Sequence, residues 1–457
     1  MIKVAIIGGG PGGYVTAIRL QQYGIEAVVF EKERLGGVCL NHGCIPTKSL
    51  VKVADFFSEM KESEQFGISL DNLKLDYQKV YERKNAVVEK LVSGIEFIFK
   101  KRQIKTINED VIEIVEDGNA GKIITRNSVY FAEYIIIATG SIPKELSFMK
   151  FDGEDILSSR DVLKLEKLPQ HLVVVGGGVI GCEFASIFQQ FGVKVEIVEF
   201  LPKLIFNEDD EISKRLAMSL KKNKIKLHLK TAVESFEKND ETIKLQLSNG
   251  KEIITNQVLV SVGRLAQFPK IAIETENDFI KISDKFRTNL PNVFAIGDVT
   301  GKLMLAHTAS KQGLILADIL HNEINQKNIE ILNLNYQKIP ACIFTNPEIG
   351  SIGKRENEFG KDEILVGKFP FSANGKALGL GNTFGFVKVI ANKKTHQLLG
   401  VHIIGPHATE LIAQCSVLLG LNTTIDDVKN VVFAHPTLSE VVMEAIEDLE
   451  NLAIHKV

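Results

Sequence analysis

Residues 3–32, KVAIIGGGPGGYVTAIRLQQYGIEAVVFEK, predict a strand–helix–strand unit with a glycine-rich turn after the first strand. The apolar run from Val4 to Ile7 meets Gly8, Gly10 and Gly13, and a second apolar run ends at Glu31. Gly8 permits a tight turn, Gly10 lets the backbone approach a pyrophosphate, and Gly13 lets the helix pack closely on the strand. The helix N-terminus offers N–H groups to phosphates, and the Glu31 carboxylate can accept hydrogen bonds from ribose hydroxyls. The pattern therefore indicates a dinucleotide site.

A second copy of this pattern lies at residues 171–200, HLVVVGGGVIGCEFASIFQQFGVKVEIVEF, with Gly176, Gly178, Gly181 and Glu199. The spacing from the first glycine to the acid is 23 positions in both copies. Two copies with the same spacing are a far more specific signal for dinucleotide sites than one glycine turn alone. A carboxylate at Glu199 would repel a 2′-phosphate, so this second site is predicted to take NAD rather than NADP. Two dinucleotides in one chain indicate an electron relay, with one of them a tightly held flavin.

Composition excludes several classes of protein. The 457 residues exceed one hydrophobic core, so two to four domains are expected. The net charge of −3 argues against nucleic-acid partners, and no apolar run is long enough to cross a membrane. The first ten residues already read as a strand and glycine turn, which leaves no room for a signal peptide. Five cysteines in so long a chain do not form a secreted disulfide framework, so we expect the reducing cytoplasm.

Two of those cysteines, Cys39 and Cys44, lie in LGGVCLNHGCIPTKSL, residues 35–50. Residues five apart on a regular helix have Cα atoms about 8–9 Å apart, beyond the roughly 7 Å that a disulfide tolerates. The glycines at positions 36, 37 and 43 and Pro46 predict the irregular backbone that a bridge would need. A structural staple is a poor explanation, because the loop that it would close is very short.

A metal site or a redox dithiol are the other interpretations of this pair. Zinc needs about four ligands, and only His42 lies nearby without a second half-site, so no metal is predicted. Lys48 follows Cys44 by one helical turn, where its charge would favour a thiolate, although it is also consistent with an ordinary surface lysine. The redox dithiol is the favoured interpretation.

The stretch AHPTLSEVVMEAIEDL, residues 434–449, contains a candidate general base. Pro436 suits the first position of a helix, which predicts that Glu440 lies about one turn inside it. A carboxylate on one nitrogen of His435 would raise its basicity and leave the other nitrogen able to take a proton. A cap or surface role for His435 stays open on spacing alone. The same is true of Asp298, which follows the apolar run in NVFAIGDVTG (292–301) and is either a turn residue or a ligand contact.

Along the chain, the motifs follow in the order first glycine fingerprint, GGVCLNHGCIPTK, second glycine fingerprint ending in Glu199, AIGD and HPTLSE. Together they resemble the flavoprotein disulfide reductase family, and most closely its members that oxidise dihydrolipoyl groups. The resemblance extends essentially from end to end. It implies an α/β fold with two Rossmann-like dinucleotide-binding domains, one for FAD and one for NAD inserted into the first, followed by a C-terminal α/β dimerisation domain. The implied boundaries are 1–140 and 273–335 for the FAD domain, 141–272 for the NAD domain, and 336–457 for the interface domain.

The resemblance also implies residue roles. Cys39 resembles the thiol that meets the substrate and Cys44 the thiol beside the flavin. His435, oriented by Glu440, resembles the base that serves the disulfide of the other subunit of a homodimer. Lys48 matches a lysine near the flavin N5, and Glu183 its ion-pair partner. Further FAD contacts are implied at Glu31, Thr139, Gly140, Ser141, Asp298, Met304, Leu305, Ala306 and His307. The NAD site is implied at Glu199, Val233 and Gly263. The implied partners are dihydrolipoamide or lipoylated domains and the core subunits of 2-oxo acid dehydrogenase complexes.

The sequence departs from the family in three places, and two other functions stay open. SVGRLAQFPK, residues 261–270, lacks the usual GRxPN pattern. Phe433 lies two positions before His435, where many members have a second histidine, and His42 lies where many members have valine or another residue. An NADH-dependent reductase of another disulfide or of a metal ion is a different function within the family. A flavin-binding scaffold without catalysis is a function of another class, disfavoured because Cys39, Cys44, His435 and Glu440 are all retained.

Overall fold

The structure is a computed structural model and describes residues 1–117 and 120–456. The chain divides into two compact units, each made of three segments. The first unit comprises Met1–Ser49, Gln78–Lys144 and Gly263–Tyr336. The second unit comprises Leu50–Tyr77, Glu145–Val262 and the chain from Gln337 onward. The division into FAD, NAD and interface segments at the residues given above stays a prediction.

The first unit is built on a sheet whose parallel part has five strands. Ile2–Ile7 lies between Ala27–Phe30 and Val129–Ile137 and is parallel to both. Lys105–Ile107 pairs with the outer edge of Ala27–Phe30, and Val293–Ala295 pairs with Val129–Ile137. The register places Ile7 opposite both Phe30 and Ile137. These three strands therefore end at one edge of the sheet, where ligands bind in open α/β folds.

An antiparallel pair, Val111–Asp117 and Ala120–Thr125, completes this sheet against Val129–Ile137. Two small two-stranded sheets add Ser141–Pro143 with Arg264–Ala266, and Thr275–Glu276 with Phe279–Ile280. The α-helices of this unit are Pro11–Gln22, Gly37–His42, Ala306–Asn325, most of Tyr77–Arg102, and the start of Cys44–Lys61, which continues into the second unit.

Glycines set how closely the helices of the first unit approach. A Cβ on Gly13 would lie 1.9 Å from the carbonyl oxygen of Gly8, so helix Pro11–Gln22 can follow its strand only with glycine there. A Cβ on Gly313 would lie 2.4 Å from Thr16 Oγ1, so helix Ala306–Asn325 packs against the same helix through its backbone. Gly13 therefore lets the helix pack closely on its strand, as the sequence predicts.

The second unit contains a five-stranded parallel sheet and a three-stranded antiparallel sheet. The parallel order is Lys226–Leu229, Lys194–Glu199, His171–Val175, Gln257–Val260 and Ile156–Leu157. All five residues of His171–Val175 are buried, as expected for a strand covered on both faces. Helices Val179–Gln190 and Asp210–Lys222 belong to this region, and the antiparallel strands are Val233–Lys238, Ile243–Leu247 and Glu252–Thr255.

A further antiparallel sheet of the second unit is formed by the chain after residue 340. Its order is Ala341–Ile343, Glu348–Gly353, Leu398–Gly405, Phe386–Asn392 and Ile364–Pro370. Its helices are Gly375–Gly379, Ala408–Gly420, Ile425–Lys429 and Glu440–Glu447. A Cβ on Gly367 would lie 2.1 Å from the carbonyl oxygen of Ala445, so the last of these helices rests directly on the sheet.

Within the described ranges, no helix is both long enough and apolar enough to cross a lipid bilayer.

Candidate active site

The two cysteines lie at a junction between helices. Cys39 is in helix Gly37–His42, and Cys44 is the first residue of helix Cys44–Lys61, with Gly43 between them. Gly36 and Gly37 have φ of 95° and 55°, so the predicted backbone irregularity is present. Because one helix ends at His42, Pro46 lies in the first turn of the next, where a missing N–H costs no helical bond.

Both sulfurs are thiols in this structure and are hydrogen-bonded to each other. The hydrogen bond from Cys44, together with burial and the charge on that neighbour, raises the pKa of the Cys39 thiol well above its usual range. The charge of Lys48 and the backbone N–H of Cys44 act in the opposite direction. Such a pair shares protons and releases the first far more easily than the second. The close pair is thus a candidate redox centre, and the predicted helical turn from Cys44 to Lys48 is confirmed.

His42 has a partner that the sequence did not indicate. Its Nε2 lies 3.2 Å from Glu33 Oε2, and the imidazole is half-buried. The side chain is therefore tied to the segment that follows the second strand. We assign it no chemical role.

The carboxylate of Glu31 is hydrogen-bonded to the first glycine turn. Glu31 Oε2 accepts from the Gly9 N–H at 2.8 Å, and Oε1 accepts from the Glu33 N–H at 2.8 Å. These bonds fix the carboxylate beside the turn while each oxygen retains a lone pair for a ribose hydroxyl. The nearest atom to a Cβ built on Gly10 is 3.8 Å away, so the backbone here is open to a ligand.

The second glycine turn repeats this arrangement in the other unit. Glu199 accepts from the Gly177 N–H at 2.5 Å and from the Leu201 N–H at 2.6 Å. A Cβ on Gly181 would lie 2.0 Å from the Gly176 carbonyl oxygen, whereas one on Gly178 would meet no atom within 4 Å. The contrast matches the two roles expected of these glycines, close packing at Gly181 and access for a phosphate at Gly178.

A buried hydroxyl without a partner tests whether the first unit can hold a flavin. Thr139 follows strand Val129–Ile137, and its Oγ1 is buried with no hydrogen-bond partner among the described residues. Thr308, the residue after His307, likewise has a buried Oγ1 without a hydrogen-bond partner among the described residues. Buried hydroxyls are normally satisfied, so two orphans within or next to predicted FAD contacts fit a polar cofactor.

Near Thr139, Ser141 Oγ donates to Asp298 Oδ2 at 2.5 Å, and Arg264 donates to both the Oγ and the carbonyl oxygen of Ser141. Asp298 lies in the 3₁₀ turn Gly297–Thr300, directly beyond strand Val293–Ala295. Gly140 has φ of 73°, which a residue with a side chain rarely adopts. The sequence did not lead us to predict a role for Arg264. The available signal was its position in the GR dipeptide of the atypical stretch, residues 261–270.

The other predicted cofactor contacts are spread over both units. Met304 is exposed, and Leu305 precedes helix Ala306–Asn325, which contains Ala306 and His307 in its first turn. Gly263 has φ of 120° and begins the last segment of the first unit. Val233 begins a strand of the second unit, where Glu183 is buried and accepts from the Phe344 N–H at 2.9 Å. The pairing of Glu183 with Lys48 stays a prediction.

The imidazole and carboxylate at the end of the chain are in contact. His435 Nδ1 lies 2.9 Å from Glu440 Oε1, and Glu440 Oε2 accepts from the Thr437 N–H at 2.7 Å. Burial raises the pKa of Glu440, but the Thr437 N–H and His435 outweigh it, so the pKa lies below its ordinary value. The His435 side chain is 78% exposed, which leaves Nε2 open to a reacting group.

The predicted helix start at Pro436 is wrong, because the helix begins at Glu440. Residues 436–439 form a turn instead, in which Thr437 Oγ1 donates to the Ala434 carbonyl oxygen and the Thr437 N–H is taken by Glu440. These local bonds replace the helical ones that Pro436 would have begun. Glu440 is consequently the first residue of its helix rather than a turn inside it.

Among the described residues, one group of side chains could together ligate a metal ion: His396, Asp426 and Glu450. The Nζ of Lys429 lies 3.0 Å from Asp426 and 2.6 Å from Glu450, so a cation already neutralises these acids. The group does not indicate a metal site.

Two family models match the chain. Pyridine nucleotide-disulphide oxidoreductase matches residues 2–313, and the dimerisation domain of the same family matches residues 339–446. The chain is 38% identical to a dihydrolipoyl dehydrogenase of Bacillus subtilis over 99% of this chain and 98% of that protein. It is 36% identical to the mitochondrial dihydrolipoyl dehydrogenase 1 of Arabidopsis thaliana, over 99% of this chain and 91% of that one.

Solved structures share the fold. The crystal structure of LpdA from Mycobacterium tuberculosis matches with a TM-score of 0.89 at 23% identity, covering 98% of this chain and 100% of that one. The flavoprotein disulfide reductase RclA from Escherichia coli matches with a TM-score of 0.84 at 24% identity, covering 97% and 99%. The predicted fold class and the cofactors FAD and NAD are confirmed, and the dimerisation domain supports a homodimer. With its paired glycine turns and its thiol pair, this chain belongs to the pyridine nucleotide-disulphide oxidoreductase family.

Proposed function

We propose that this protein is a dihydrolipoyl dehydrogenase, which oxidises dihydrolipoyl groups to lipoyl groups and reduces NAD⁺ to NADH. The observation that carries the proposal is the hydrogen-bonded pair Cys39 and Cys44 at the helix junction. Full-length similarity to proteins named for this activity supports it. The carboxylate of Glu199, held by two backbone N–H groups beside its glycine turn, supports NAD over NADP.

The thiol chemistry begins with the Cys39–Cys44 pair as a disulfide. Nε2 of His435, from the other subunit, takes a proton from one substrate thiol. The resulting thiolate attacks the Cys39 sulfur, which forms a mixed disulfide and releases Cys44 as a thiolate. The second substrate thiol, once deprotonated, attacks the sulfur bound to Cys39. The substrate leaves as a cyclic disulfide, and its two electrons remain on the cysteine pair.

Other residues hold these groups in place. Glu440 accepts from Nδ1 of His435, which leaves Nε2 unprotonated and able to act as the base. Lys48, one turn after Cys44, supplies positive charge to the thiol pair. The chemistry that FAD would supply when bound is the transfer of an electron pair from the dithiol to NAD⁺. FAD would be bound by Glu31, Thr139, Gly140, Ser141, Asp298 and the residues from Met304 to His307. Its reactive ring would lie near Lys48 and Glu183. NAD would be bound by Glu199, Val233 and Gly263.

Partners and location are part of the same proposal. The substrate is dihydrolipoamide or a lipoylated protein domain, and the enzyme serves 2-oxo acid dehydrogenase core subunits, the glycine cleavage system, or both. We place it in the cytoplasm, because its five cysteines do not form a secreted framework and its chemistry needs a pair that can open.

Steady-state assays with purified holoenzyme test the proposal. We expect NAD⁺ reduction by dihydrolipoamide, and its loss by at least about 10³-fold in Cys39→Ser and in Cys44→Ser. The matched control is Cys342→Ser, a half-buried thiol near the Thr409 carbonyl oxygen, which should retain activity. Turnover of glutathione with NADPH, but not of dihydrolipoamide with NAD⁺, would overturn the proposal.

A further inference from the structure

Gln312 is fully buried in helix Ala306–Asn325 and has no role in the proposed function. Its side-chain oxygen, Oε1, accepts a hydrogen bond from the Gly297 N–H at 2.6 Å. Its Nε2 donates to the hydroxyl oxygen of Tyr336 at 2.9 Å. The orientation of the amide follows from these partners, because a backbone N–H can only donate and must therefore face the amide oxygen. Both ends of the buried amide thus have a partner, as burial of a polar side chain requires.

The backbone that Gln312 holds leads directly into Asp298. Gly297 begins the 3₁₀ turn Gly297–Thr300, and Asp298 is its second residue. Gly297 has φ of 77°, and a Cβ built on it would lie 3.3 Å from the Cβ of Ala309, which precedes Gln312 by three residues on the same helix. The turn therefore lies against this helix, and the hydrogen bond to Gln312 fixes the backbone one residue before Asp298.

The side chain of Asp298 is held by a different group. Ser141 Oγ donates to Asp298 Oδ2 at 2.5 Å, and the same Oγ accepts the proton of Arg264 Nε at 2.7 Å. These bonds can orient the carboxylate only while the backbone that bears it stays in place. In the first unit, Gln312 thus holds the backbone of the turn, and Ser141 holds its side chain.

Other side chains at position 312 would treat the turn differently. Leucine fills a similar space but would leave the buried Gly297 N–H without its acceptor. Such an orphaned group costs more than the bond itself contributes, so the turn would shift to find another acceptor. Glutamate would keep an oxygen for the Gly297 N–H, and its second oxygen could accept from the hydroxyl of Tyr336.

We propose that Gln312 is a positioning residue of the FAD site: it holds the backbone at Gly297 so that the Asp298 carboxylate can contact the cofactor. The inference rests on the proposed function, in which Asp298 binds FAD. Tyr336 supports this role from the other end of the amide, because it accepts the Nε2 proton. Gln312 should therefore affect the retention of FAD through Asp298 and not independently of it.

The test follows the release of FAD from diluted holoenzyme, measured by filtration and the flavin absorbance of the filtrate. Gln312→Leu should accelerate release by about tenfold, because a buried N–H loses its partner. Gln312→Glu restores the acceptor, so its release rate should lie within about threefold of that of the unmodified enzyme. Gln257→Leu is the matched control, which makes the same change in the second unit, where Gln257 Nε2 donates to the Glu154 carbonyl oxygen. It should leave release unchanged.

A double-mutant cycle separates positioning from a general loss of structure. With Asp298→Ala in place, the residue through which Gln312 acts is gone, so adding Gln312→Leu should change release by less than about twofold. A general loosening of the first unit would instead accelerate release by the same factor in both backgrounds. If Gln312→Leu does not fold, Tyr336→Phe replaces it under the same criteria, with an expected acceleration of about threefold.

The outcomes distinguish this inference from the proposed function. Release that is unaffected by Gln312→Leu, or accelerated equally with and without the Asp298 carboxylate, would overturn the inference alone. The same is true if Gln312→Glu releases FAD as fast as Gln312→Leu, or if Asp298→Ala by itself leaves release unchanged. An enzyme that retains FAD but transfers no electrons from dihydrolipoamide to NAD⁺ would overturn the proposed function and leave the role of Gln312 in FAD binding intact.

Discussion

Replacing Glu440 by glutamine tests the proposed base without changing the shape of the site. The carboxylate accepts two hydrogen bonds, from His435 Nδ1 at 2.9 Å and from the Thr437 N–H at 2.7 Å. An amide has one oxygen and one NH₂ group, so it can accept only one of them. If the oxygen stays with Thr437, the NH₂ group faces Nδ1 and forces the proton onto Nε2. That tautomer cannot take a proton from a thiol.

The expected magnitude follows from the bond that is lost. A hydrogen bond to a charged group contributes about 1.5–3 kcal/mol, and each 1.36 kcal/mol is tenfold in rate. Glu440→Gln should therefore lower kcat for dihydrolipoamide oxidation by about 10- to 150-fold. His435 is largely exposed in one protomer, where water weakens the bond, so we expect the lower half of this range unless the other subunit encloses it.

The assay compares two reactions of the same preparation. Dihydrolipoamide oxidation needs the base, whereas NADH oxidation by an artificial one-electron acceptor needs the flavin but not His435. The first should fall and the second should stay within about twofold, with FAD content unchanged. Glu447→Gln is the matched control, because it makes the same change on the same helix and its carboxyl does not contact His435. A Glu440→Gln enzyme with wild-type dihydrolipoamide turnover would refute the reasoning.

Three other predictions concern pH and the nucleotide sites. Burial raises the pKa of Asp55 to about 6, above its value in the unfolded chain. Between about pH 4 and 6 the folded protein therefore binds a proton at Asp55 that the unfolded chain has lost, so the free energy of unfolding should fall as the pH rises through this range. Relative to Asp55→Asn the loss should be on the order of 3 kcal/mol in denaturant titrations, and identical pH dependence of the two proteins would contradict it. Gly178→Ala should fold normally but raise KM for NAD⁺. Gly181→Ala should lower the melting temperature, because its Cβ would lie 2.0 Å from a carbonyl oxygen. The reverse pattern would refute the roles of Gly178 in phosphate access and Gly181 in close packing. Glu199→Gln should reduce the preference for NAD⁺ over NADP⁺, measured as the ratio of kcat/KM, by about tenfold, and an unchanged ratio would exclude charge repulsion as its cause.

Features that depend on a few neighbouring residues were readable from the sequence. Both glycine turns, the acids Glu31 and Glu199 and the thiol pair follow from short motifs, because turn sterics and helix spacing are local properties. The His435–Glu440 contact joins residues five apart, and spacing was enough to suggest it. The start of the last helix was misplaced, because the bonds of Thr437 to Ala434 and Glu440 compete with helix formation and propensity does not weigh them.

The sequence by itself determined that two nucleotide turns and a cysteine pair exist, while the tertiary structure decided what surrounds them. Arg264 reaches Ser141 across 123 positions, and Ser141 reaches Asp298 across 157. No periodicity or motif encodes such pairs, since they form only when strands Val129–Ile137 and Val293–Ala295 come together in one sheet. The orphaned hydroxyl of Thr139 is likewise visible only after burial removes water from it. Local sterics depend on consecutive residues, but the charges and hydrogen bonds around the half-buried thiol pair depend on which distant segments fold beside it.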